Sequence, residues 1–125
     1  MTKFRLYSKP AEKYIDYITI GFSKTGELRS YSNENGFGPV FEDDYIVEQY
    51  TGLKDKDGEE IYEGDIMRYD AIDYKVLWAD YYAGFETKRL NSPWNNAGLT
   101  LHFLASVGRV IGNIHENQEL LGGEK

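Results

Sequence analysis

Apolar residues recur at every second position along this chain more often than at the 3.6-residue spacing of a helix. Phe4, Leu6 and Tyr7 form a first short strand that ends near Pro10. In DYITIGFS, Ile18, Ile20 and Phe22 take one face, and Tyr17 and Thr19 the other. A turn at Thr25-Gly26 returns the chain through Leu28, so residues 17–31 read as a hairpin. The glycines and proline of SNENGFGPVFEDD (32–44) predict a loop, and YIVEQYT (45–51) the next strand. Residues 66–71 and 74–79 are the best-patterned strand pair, with Tyr74, Val76 and Trp78 on one face. ADYYAG then turns into a strand over 85–90, NSPWNNAG (91–98) is a second loop, and residues 100–105 and 109–114 are two further strands. Only ENQELL, in the tail, has helical character.

Seven or eight short strands with very little helix predict an all-β fold, a small antiparallel barrel or roll. Open sheets built from such short strands would leave unpaired edges, and closure removes them. Residues 1–44 read as an N-terminal β-hairpin extension with an acidic loop, and residues 45–125 as the barrel. A chain of 125 residues buries enough surface for an autonomous core, so one compact unit is expected.

Charge changes the picture more than hydropathy does. The formal net charge is −7. Residues 1–30 hold six Lys/Arg against three acids, residues 31–65 two against eleven, and residues 66–125 six against seven. So acidic a middle third repels phosphate and disfavours nucleic acid as a general partner. Two readings of the segment stay open, a solvated acidic face or a dock for a basic partner. The chain has no cysteine, which excludes disulfides, thiolate metal sites and cysteine nucleophiles, and suits a reducing cytoplasm. No run approaches the ~18 apolar residues of a membrane helix, and the first residues lack a signal-peptide core. The expectation is a cytoplasmic protein with no membrane contact.

The carboxylates of DKDGEE (55–60) suggest a calcium loop until the ligand positions are counted. With Gly58 as the sharp-turn glycine at position six, position one is Leu53 and position twelve is Gly64. Neither residue ligates through a side chain, so both anchors of such a loop are missing. A structural turn accounts for more residues. Gly58 takes positive φ after Asp57, and Gly64 with Asp65 lets the chain turn into the next strand while the Asp65 carboxylate accepts from backbone amides.

Three segments carry a family resemblance: QYTGLKDKDGEEIYEGDIMRYD (49–70), VIGNIHENQELL (110–121) and the opening KFRLYSK. They resemble the signature segments of the YopX family, small proteins of bacteriophages and prophages in Gram-positive bacteria. The resemblance implies an SH3-like small barrel, a phage or prophage origin and self-association, and it brings no established activity. The chain departs from the pattern at Gln118, where proline is expected, and at His115, where an aromatic is more usual.

Catalytic motifs are missing. Gly36-Phe37-Gly38 lacks the third glycine and the βαβ setting of a dinucleotide loop, and the sequence has no phosphate-loop or nucleophile-elbow pattern. His102 and His115 fall on strands read as neighbours, but two histidines without a further defined ligand rarely make a site. Neighbouring carboxylates such as Glu59 and Glu60 point to opposite faces of a strand. The candidate partner-binding residues are Tyr81, Tyr82, Phe85 and Trp94, aromatics in or beside turns, with Arg68, Lys88 and Arg89. The expected function is therefore a non-enzymatic interaction module without cofactors that binds a host or phage protein and forms homo-oligomers. Alternatives are an accessory single-stranded nucleic-acid binder using the same aromatic and basic residues, and an acidic decoy of a host protein.

Overall fold

A computed structural model describes residues 3–15, 19–22, 28–32, 36–39, 45–91 and 98–122, with side chains from 3–15, 45–91 and 98–122. The Thr25-Gly26 turn, the acids 42–44 and Trp94 lie outside the described residues. The chain is all-β with little helix, and it divides into two units, Lys3–Glu48 and Gln49–Lys125.

In the first unit, β1 (Phe4–Ser8) pairs antiparallel with β2 (Lys13–Ile15), with Tyr7 opposite Tyr14. A separate antiparallel sheet has the order β3 (Thr19–Phe22), β4 (Leu28–Ser32), β5 (Gly36–Pro39). The pairing of β3 with β4 is the hairpin expected over 17–31. β6 (Tyr45–Lys54) begins in this unit, and its Glu48 is only 3% exposed. Glu48 Oε1 accepts from Arg5 Nε and from the Tyr14 hydroxyl, each at 2.8 Å. Such partners are what a buried carboxylate requires, because desolvation would otherwise favour its neutral form.

In the second unit, the rest of β6 pairs with β7 (Glu60–Tyr62). Tyr50 faces Tyr62 and Lys54 faces Glu60, so three residues of β6 oppose Ile61 alone in a bulge. Thr51 fills the broken ladder: its hydroxyl donates to the Ile61 carbonyl at 2.7 Å and accepts from Leu53 N at 3.2 Å. A four-stranded antiparallel sheet then curls into a half-barrel, in the order β10 (Gly84–Arg89), β9 (Ile72–Ala79), β8 (Asp65–Tyr69), β11 (Arg109–Asn113).

Both faces of this sheet carry a covered apolar patch. Met67, Tyr74 and Val76 pack with Ile61 and with Leu101, Leu104 and Ala105 of the helix α1 (Leu101–Val107). On the other face Ile66 packs with Leu90 and with Leu121, from the 3-10 helix Gln118–Leu121. Each face thus has an apolar patch that another element removes from water.

Two expectations need correction. Residues 100–105 are not a strand. Leu101, Leu104 and Ala105 are buried at helical spacing, and the Thr100 hydroxyl caps α1 by accepting from Phe103 N at 3.4 Å. The segment 32–44 is not wholly loop, because β5 lies inside it. β5 is an edge strand, a position that tolerates the proline at its end. Trp78 shares the face of Tyr74 and Val76, and near the strand end it is 37% exposed. β2 and β7 were not foreseen, each being three residues long and too short to show alternation.

Candidate interaction surface

The loop after β6 is built around Asp55, which is 7% exposed. Its Oδ1 accepts from Asp57 N and Glu59 N, each at 2.9 Å, and its Oδ2 from Val110 N at 2.8 Å. Gly58 at φ +85° completes the turn and donates to the Asp55 carbonyl at 3.0 Å. Further along, Asp65 Oδ2 accepts from Tyr62 N at 2.7 Å, and Gly64 donates to the Val76 carbonyl at 2.9 Å and accepts from Ile114 N at 2.9 Å. The segments 49–70 and 110–121, distant in sequence, therefore interlock through backbone and buried carboxylates. Among the described residues no group of three or more His, Asp or Glu is placed to hold a metal ion.

The β9–β10 hairpin gathers three of the four nominated aromatics and one that was not nominated. Tyr81 is 80% exposed and Tyr82 49%. Their rings meet edge-on at 4.7 Å, and beside them Trp78 meets Phe85, its cross-strand partner, edge-on at 5.0 Å. Both tyrosine hydroxyls are held within the hairpin, Tyr81 donating to Glu86 Oε2 at 2.8 Å and Tyr82 to the Phe85 carbonyl at 3.0 Å. The bond to Glu86 raises the Tyr81 phenol above its ordinary value, and desolvation followed by the charge of Glu86 raises Tyr82. Trp78 was missed because it reads as one more residue on the strand face of Tyr74 and Val76. Its place near the strand end, opposite Phe85, was the available signal.

A groove of about 590 Å³ runs beside this hairpin between β10 and residues 98–101. The Thr87 hydroxyl donates to the Leu99 carbonyl there, and Gly98 packs so closely on Thr87 that a Cβ would collide with its carbonyl oxygen.

The nominated cations do not form one track. Directly opposed residues in an antiparallel pair share a face. Arg89 opposes Tyr74 on the core-facing side, whereas Lys88 opposes Lys75, which in turn opposes Ile66 on the other side. Arg68 shares that second side with Lys88 but is two strands away, and Asp73 holds it at 2.7 and 3.0 Å. The Asp73 carboxylate raises Arg68 above its ordinary value, by hydrogen bond first and charge second. Sequence reasoning missed Lys56 and Arg109, which line a second groove with Arg68. Only the tertiary pairing of β11 with β8 brings them together. The histidines are not on paired strands: His102 is exposed on α1, and His115 follows β11 with its amide donating to Asn113 Oδ1 at 3.0 Å. No helix of the described residues is long and apolar enough to cross a membrane.

These features define a small all-β protein whose exposed aromatics crowd one hairpin and whose buried acids serve its loops. The chain belongs to the YopX protein family, whose profile matches residues 3–122. It is also similar to the crystal structure of protein EF1440 from Enterococcus faecalis, with a TM-score of 0.70 and 28% sequence identity over 97% of this chain and 98% of that one. No curated protein is significantly similar to it.

Proposed function

We propose that this protein is a non-enzymatic interaction module that binds another protein and associates with its own copies, using the exposed aromatic end of the β9–β10 hairpin. The supporting observation is the exposure of Tyr81, Tyr82 and Trp78 together, at 80%, 49% and 37%. Rings left in water by the core gain most when a partner covers them. Their hydroxyls already have acceptors inside the hairpin, so burying the rings strands no new polar group. Edge-on packing also holds the rings in place, which lowers the ordering cost of binding. The setting we assign is the cytoplasm of a bacterium carrying a phage or prophage, with a second copy and a host or phage protein as partners.

Light scattering at micromolar concentration tests the self-association. The expected result is a mass above that of the 14.4 kDa chain, which returns to the monomer in the double variant Tyr81→Ser/Tyr82→Ser. Capture from prophage-induced cells tests the second partner, with the same variant as control. A strict monomer that captures nothing lost in the variant would refute the reading.

A further inference from the structure

At the far end of β9 from the aromatic rings, the Asp70-Ala71 turn, the start of β11 and the Asp55 loop enclose a groove of about 480 Å³. Arg109 lies directly opposite Arg68 in the β8–β11 pairing. Like charges in that position repel unless a counter-ion intervenes. Asp73, opposite Arg68 on the other side, supplies one for Arg68 only. Lys56 is brought to the same groove by its own amide, which donates to the Gly108 carbonyl at 3.2 Å. Among the described residues neither Lys56 nor Arg109 has an ion-pair partner. A chain with 21 acids and 14 Lys/Arg has thus left two cations of one groove without an ion-pair partner.

The local charge decides the ligand class. Lys56, Arg68 and Arg109 contribute three positive charges, and Asp70, Asp73 and the Asp55 carboxylate bonded to Val110 N offset all three. With no net excess, the two cations that lack an ion-pair partner suit a single carboxylate, and the acids beside them resist a run of phosphates. Half-buried Tyr69, Val107 and Ile111 complete the lining with apolar surface.

We propose that this groove binds one acidic side chain of a protein partner, presented on a short segment with an apolar residue beside it. The Arg109 guanidinium receives the two carboxylate oxygens, Lys56 adds its charge, and the apolar neighbour covers Tyr69 and Ile111. The site stands about 25 Å from the aromatic end, the length of an eight-residue strand, and does not depend on it.

The test is a titration of the ¹⁵N-labelled full chain at 50 mM NaCl, read as amide shifts. The probes are acetyl-Leu-Glu-Leu-amide, its Gln counterpart, inorganic phosphate and ten-residue oligothymidylate. Shifts should cluster at Lys56, Tyr69, Arg109 and Ile111 with the Glu peptide, and binding should be about tenfold weaker with the Gln peptide. Lys56→Gln, in an exposed loop, should weaken the Glu peptide about threefold with unchanged thermal unfolding, and Arg109→Gln by more. No localised shift, equal shifts with the Gln peptide, or tighter binding of phosphate or oligothymidylate at these residues would each overturn the proposal.

Discussion

Asp55 illustrates how one carboxylate organises a whole stretch of acidic sequence. It carries three backbone amides on two oxygens, two inside its own loop and one on β11. Asp55→Ala leaves those amides without their acceptor and should cost about 3 kcal/mol, read as a lower midpoint in urea with an unchanged slope. Asp55→Asn should cost less, because it keeps one acceptor oxygen while turning an NH₂ group toward a donor. Equal losses in both would show that the contact between loop and β11, rather than the loop itself, carries the effect. The sequence showed which liganding positions were wrong for calcium. It did not show where Asp55 points, because Val110 lies 55 residues away.

The two hairpins of the half-barrel make opposite uses of their turns. β8 and β9 are joined by Asp70 and Ala71, with Tyr69 opposite Ile72 and φ of 54° and 62° at the two turn residues. Two-residue turns of this type favour glycine at the second position, and alanine is strained there. Ala71→Gly should stabilise the protein by about 0.5–1 kcal/mol, seen as a higher thermal midpoint. The β9–β10 hairpin instead spends its turn on exposed rings. Tyr81 and Tyr82 hold their protons above the ordinary 10.0 in the folded chain, so the folded state binds those protons more tightly than the unfolded one. Their contribution to stability is complete below pH 10 and lost as pH rises through the folded values. Phenolate absorbance should show both ionising late, and Glu86→Gln should bring Tyr81 back toward 10. An unchanged titration in that variant would remove Glu86 as the cause. These hairpins were readable from the sequence because each strand is long enough to alternate. α1 was not, since seven residues show barely two turns of periodicity and their β-branched and aromatic neighbours resemble a strand.

Across the whole molecule, the acid count overstates the charge presented to partners. Of the eleven acids between residues 31 and 65, Glu48, Asp55 and Asp65 are buried and bonded internally. A segment that reads as a uniform acidic face thus contains acids that hold strands and loops in place. The candidate surfaces were legible to different degrees for a related reason. Tyr81, Tyr82 and Phe85 are close in sequence and were found together, whereas Lys56 and Arg109 meet only through strand pairing. The two surfaces also respond differently to salt. Association through rings should persist at 0.5 M NaCl, while binding of the Glu peptide should fade, because screening acts on exposed charges and spares apolar burial.

The link between Asp55 and Val110 also dictates an order of events during synthesis. At roughly 5–20 residues per second, the amide that completes the Asp55 cradle emerges some 3–11 s after the aspartate itself. For that interval the nascent chain carries an unfinished loop and a β8 edge with no neighbour on one side. A polypeptide cut short before residue 109 would stay in that condition, as a substrate for chaperones and proteases.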